Sequence, residues 1–271
     1  MTNNGTLNAD RGASGGSNTL STGAVTNGET GVIGADADST LRATSIDSNG
    51  GIVNATNRGT ITIAQDGRLT NNGDGALNVT GGGAFNGAVD NKDTGTVSVN
   101  TGGVLTGDII SSGEGDVTVG ADGRVVGNIS NESDTSTVTV AENGRIEGNI
   151  TRNDGTATID GRVTGDVRNS ASTGDVVVGG SGRIGSLTVT NGTATVNGTV
   201  DGRVDVGANG TVVLSDNSTS GNVVNRGNVT IAGDVVEGST TSATQPSAAR
   251  RRMIVLSLSV TTETVRVPKR P

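Results

Sequence analysis

The feature that most restricts this fold is a repeat. "VTVGADGRVVGNI" starts at Val117, and "VTVAENGRIEGNI" starts at Val138. Aligning the V-x-V element along the chain gives starts at Ile61, Leu77, Val97, Val117, Val138, Ala157, Val176, Ala194, Val212 and Val229. Successive starts lie 16, 20, 20, 21, 19, 19, 18, 18 and 17 residues apart. A near-constant period of about 20 residues marks a solenoid, whose units bury their apolar faces only against one another. Leucine-rich repeats and β-solenoids share such a period. Gly and Asn interrupt every stretch that could hold helical periodicity, so the units are β.

Within a unit the apolar residues alternate, as a half-buried strand requires. In "ATIDGRVTGDV" the inward residues are Ala157, Ile159, Val163 and Val167; one unit earlier they are Val138, Val140, Ile146 and Ile150. Val119, Val140, Ile159 and Val178 are expected in one stacked column. Gly123, Gly144 and Gly161, then Gly127, Gly148 and Gly165, separate the short strands, where a positive φ or a tight bend excludes a Cβ. The chain has 46 Gly and no Trp or Tyr, and Phe85 is its one aromatic residue. Without the rings that fill wide cores, only a narrow aliphatic core can form. Ten units stacked at about 4.8 Å make a rod roughly 45–50 Å long.

Three segments follow. Residues 1–59 use the same Gly/Asn/Thr vocabulary with uneven spacing and read as irregular N-terminal rungs; residues 60–238 are the regular solenoid. Residues 239–271 lack Gly, Asn and Asp and hold all three Pro, which points to a basic tail, disordered or a weak cap. No apolar run reaches the roughly 18 residues of a membrane span. The start "MTNNGTLNAD" lacks the basic and apolar regions of a signal peptide.

His and Cys are absent, which removes Ser-His-Asp and Cys-His catalysis, and no cofactor or metal motif is present. A carboxylate pair set between rungs could in principle cleave a glycan, but platforms for stacking sugars are missing apart from Phe85. Residues 1–242 hold 13 basic and 26 acidic side chains, a balance that repels nucleic acid.

Function on a solenoid belongs to its outward columns. Arg124, Arg145, Arg162 and Arg183 follow corner glycines in four successive units and are the candidate binding residues, for an anionic glycan. The plainer reading has them covering apolar rims, with Glu147 and nearby Asp balancing charge. A T-x-T pattern recurs at Thr60/Thr62, Thr137/Thr139, Thr156/Thr158 and Thr193/Thr195, broken by Asp116, Asp175, Val177 and Val213. It resembles some ice-binding proteins in that feature alone, and Thr is in any case a good outward strand residue. Asp108, Asn128, Asn149, Asp166 and Asn222 share a Gly-[Asp/Asn]-aliphatic setting suited to side-chain ladders or Asx turns.

"IVNATNRGTITI", "VTVGADGRVVGNI" and "VTVAENGRIEGNI" resemble passenger domains of bacterial autotransporters. The resemblance spans roughly residues 1–238. It implies a right-handed parallel β-helix, an outer-membrane or secreted location, and non-enzymatic adhesion to host or cell-surface glycans or proteins. Export by that route needs a signal peptide and a C-terminal β-barrel, so this chain would be a fragment or a remnant. "IDGRVTGDV" and "GRVVGNI" also resemble bactofilins, cytoplasmic β-helices that polymerise end to end, which implies possible self-association. A polysaccharide-binding or polysaccharide-cleaving β-helix is the third reading.

Overall fold

The computed structural model describes residues 1–9, 18–36, 38–56, 58–235 and 240–241. They form an all-β parallel solenoid of about 11 turns. Each turn has three short strands, and each strand pairs in parallel with its equivalents one turn before and one turn after. Thr96–Val99, for example, lies between Ala76–Val79 and Val117–Val119. Three parallel sheets result. The first contains Arg68–Asn72, Ala88–Asn91 and Ile109–Ser111. The second contains Ala76–Val79, Thr96–Val99 and Val117–Val119. The third contains Ala84–Asn86, Val104–Thr106 and Arg124–Val126.

Alternation along each strand sends every second side chain inward. On the second sheet Val119, Val140, Ile159 and Val178 are consecutive partners and fully buried. Val138, Ala157, Ile146, Val163, Ile150 and Val167 are buried as expected. Phe85 sits between Ile61 and Leu105 in the inward column of the third sheet and is fully buried.

That last pairing corrects the repeat alignment at one end. Ile61 belongs to the third sheet, while the residue stacked beneath Leu77 on the second sheet is Val53. The true step from Val53 to Leu77 is 24 residues, so the apparent 16 joined two different faces. Turn insertions change rung length without changing the stacked columns.

The corner glycines divide between the two expected causes: Gly127 has a positive φ (153°), whereas Gly123 serves a tight approach. At Gly123 the left-handed residue is its predecessor, Asp122 (φ 58°). Gly123 is required because a Cβ there would lie 1.9 Å from the Val99 carbonyl oxygen of the rung below. Close rung approach, not backbone sign, selects glycine at this corner.

One inward column is not apolar. On the first sheet Asn27, Ser48, Asn71, Asn91, Ser111, Asn131, Asn153 and Asn169 are all fully buried, with Asn3 nearly so at the start of the row. Their amides bond along the stack, as in Asn71 Nδ2 to Asn91 Oδ1 (2.8 Å) and Asn131 Nδ2 to Asn153 Oδ1 (3.0 Å). The same Nδ2 atoms also reach turn carbonyls, such as Gly75 (2.9 Å) from Asn71 and Gly174 (2.8 Å) from Asn169. The buried amides thus pair the carbonyls that a tight corner leaves open. A register shift at Ser130↔Arg152 absorbs one extra residue and keeps Asn153 in the row. Beyond Asn169 the column turns aliphatic, with Val189 and Val206 as its next members.

Pairing begins at the first residues, with Thr2–Asn3 on Ala24–Asn27 and Thr6–Ala9 on Val32–Ala35. Of the tail set at 239–271, Thr240 and Thr241 are described, paired with Val224 and Asn225. The remainder, including "MIVLSLSV", lies outside the described residues.

Candidate functional site

The three sheets present different chemistry to solvent. On the third sheet Arg124, Arg145, Arg162 and Arg183 are consecutive partners in one outward column. Like charges so stacked repel unless screened, and carboxylates do much of that screening. Glu147 lies between two of them, paired to Arg124 and to Arg145 Nε (2.8 Å). The hydrogen bond from Arg124 holds the Glu147 carboxyl below its usual range, against some desolvation and helped by both cations. Arg183 reaches Asp201 at 2.7 Å. Arg162 makes no ion pair among the described residues and is the cation in this column available to an anion without displacing an acid.

The corner from the third sheet to the first carries the Asp/Asn ladder. Asp108 Oδ1 accepts from the Asn128 backbone N–H (2.7 Å), Asn128 Oδ1 from the Asn149 amide (2.9 Å), and Asn149 Oδ1 from the Asp166 backbone N–H (2.8 Å). Ser186 then donates to Asp166. Asn222 stands apart: Arg203 occupies the intervening rung, and Asn222 Oδ1 is buried without a partner. The ladder side chains bond from rung to rung along the corners.

The second sheet carries hydroxyls. Thr137, Thr156, Asp175 and Thr193 form one outward column, and Thr118, Thr139, Thr158, Val177 and Thr195 form the other. Thr60 and Thr62 do not belong to it, since they pair with Ala84 and Asn86 on the third sheet. Thr193 donates to Asp175 (2.5 Å). Thr118, Thr137, Thr139, Thr156, Thr158 and Thr195 make no side-chain hydrogen bond among the described residues.

A shallow open hollow lies against the turns at Glu29, Asn49, Gly50, Asn72, Gly73 and Asp74. Its Asn72 amide is already engaged by Asp47 (2.8 Å) and Asn49 (3.0 Å). Among the described residues no group of three His, Cys, Asp or Glu side chains is placed to hold a metal. The buried Asn/Ser row is the polar feature that sequence reasoning missed. Its signal is an Asn or Ser two places after an inward aliphatic, as in Leu69-Thr-Asn71 and Val89-Asp-Asn91.

No protein-family model matches this chain, and no curated protein matches it significantly. Among solved structures it is similar to the crystal structure of a TibC-catalysed hyper-glycosylated fragment of TibA, an autotransporter passenger. The match has a TM-score of 0.50 at 19% identity and covers 90% of this chain and 97% of that one. At that identity the likeness establishes architecture: this chain is a parallel β-solenoid of the kind seen in that passenger fragment.

Proposed function

We infer that the chain is a non-enzymatic, adhesin-like segment of a surface-exposed or secreted autotransporter passenger. The observation that carries this reading is the fold match along nearly the whole solenoid. The open outer faces support it, because flat outward columns such as those of the second and third sheets offer area for contact. On this reading the Arg124–Arg183 column is an accessory site for anionic glycans, centred on Arg162.

The test is surface display. The chain is fused between a signal peptide and an outer-membrane β-barrel, and the displaying bacteria are scored for attachment to epithelial cells and to one another. Attachment above that of cells carrying the barrel alone is the expected outcome. No attachment, with filaments formed by the purified chain, would favour the bactofilin-like cytoskeletal reading instead.

A further inference from the structure

We propose that the outward face of the second sheet is where two copies of this chain pack side by side as a closed pair. The proposal goes beyond the adhesin reading and does not depend on it. The second sheet runs from Thr6–Ala9 to Asn228–Ile231 through eleven successive pairings. Along that path its strands hold one charged side chain, Asp175, and Asp116 flanks them. By contrast the strands of the first sheet carry Asp47, Arg68, Asp90, Arg152, Arg168 and Asp205. Those of the third carry Arg42, the four stacked arginines and Glu147. The two acids at the second sheet are already engaged. Asp116 accepts from the Thr137 backbone N–H (2.8 Å), and Asp175 from the Thr193 hydroxyl (2.5 Å). Apolar exposure gathers on the same sheet. Among the described residues the exposed large apolar side chains are Met1 at the terminus, Ile52 and Val213 pointing outward from the second sheet, and Ile231 on its last strand.

Depletion of charge is the compositional mark of an interface core, and here it also selects the partner. The chain has a net charge of −8, so copies repel where their charged faces meet. A charged partner would bury its ions against a surface with no counter-charge, and their desolvation would go uncompensated. The partner surface must therefore be flat and uncharged, and the second sheet of another copy is such a surface. Two sheets pack about 10 Å apart with their side chains interdigitated. The two outward columns, Thr137 and Thr139 in one rung, are two residues apart, so a partner's column fits the furrow between them. Eleven steps of about 4.8 Å, on strands of four residues at about 3.3 Å each, give roughly 700 Å² per copy, or about 1,400 Å² in total, within the range of specific pairs. A two-fold contact uses the same face on both copies. The remaining faces are charged, so assembly stops at two.

The experiment is sedimentation velocity on the purified full chain, over a concentration series at low and high salt. The expected result is a two-copy species whose share grows with concentration and does not fall with added salt, because screening weakens the repulsion between acidic bodies. Thr139→Lys/Thr158→Lys puts two cations on the face and should raise the dissociation constant at least about tenfold. Thr70→Lys/Thr188→Lys makes the same change of charge on the first sheet and should pair like the parent, and all three proteins should melt alike. Val213→Lys, at a more exposed place on the second sheet, repeats the test if the first variant melts below the parent. A parent that stays monomeric at every concentration overturns the proposal. If that monomer is retained on a neutral polysaccharide and Thr139→Lys/Thr158→Lys is not, the face belongs to a glycan instead. Pairs that survive the second-sheet lysines, or that are lost equally with the first-sheet ones, overturn it as well. Open-ended chains also overturn it and would point to contact at the ends of the rod. Pairing in solution without attachment of displaying bacteria to epithelial cells would refute the adhesion reading alone.

Discussion

Ser48 gives its one hydroxyl proton to the Gly51 carbonyl (2.9 Å), so the buried Asn71 Oδ1 above it receives none. Ser111 does the same with Gly115 (2.9 Å), and each serine ends a run of side-chain bonds. Asparagine has two donors and can serve the turn and the next rung together. Ser48→Asn is therefore expected to stabilise the chain by about 1 kcal/mol, seen as a higher denaturation midpoint; a lower midpoint would show that the row has no room for the amide. Asn91→Ala should cost about 1–3 kcal/mol, because it takes the side-chain donor from the Gly95 carbonyl and one acceptor from the Asn71 amide, which keeps Gly75. Ile159→Asp places a carboxylate among fully buried aliphatics and should cost several kcal/mol. Glu147 is a different case, since it is half-exposed and lies beside two arginines. Its folded pKa is depressed, so its small contribution exists above the unfolded value and is lost as pH falls through the folded one. A carboxyl titration should place its midpoint below the usual range and return it upward in Arg124→Ser. An unchanged midpoint in that variant would remove Arg124 as the cause.

At the scale of strands and corners, stability turns on how closely rungs approach. A Cβ at Gly115 would lie 1.7 Å from the Gly95 carbonyl oxygen, whereas one at Gly180 would meet nothing within 4 Å. Thermal melts should show Gly115→Ala losing about 1–3 kcal/mol or more and Gly180→Ala unchanged. Equal melts would mean that the corners flex more than their geometry indicates. Alternation made the aliphatic columns legible from Leu77 to Val229, because a period of two assigns every residue to a face. It failed at Ile61, where a 24-residue turn put a third-sheet strand where a second-sheet one was expected. The Asn row was hidden for another reason: Asn is a common turn residue, and here it is both inward on the strand and bonded into the turn. The arginine register was legible from the corner glycines, but its pairing with Glu147 and Asp201 depended on side-chain reach across rungs. If Arg162 anchors an anionic glycan, salt-sensitive heparin binding should vanish in Arg145→Ser/Arg162→Ser with the melt unchanged. Equal binding by both proteins would leave the column a structural cover.

Across the whole molecule, one repeated arrangement of inward aliphatics, buried amides and three outward faces accounts for the rod. It leaves function to the surfaces. The central claim is that chemically different rungs occupy equivalent places in one parallel stack. The chain has no Cys, so nitroxide labels can be placed at will. Asn54, Asn78, Ser98, Thr118, Thr139, Thr158, Val177, Thr195 and Val213 are consecutive partners in one outward column. Double electron–electron resonance between a label at Asn54 and a second at Thr139, Val177 or Val213 reads four, six or eight rung steps. At about 4.8 Å per step the mean distances should rise linearly, to roughly 19, 29 and 38 Å between backbones. Distances that level off, or that fail to increase from Thr139 through Val177 to Val213, would contradict the stack.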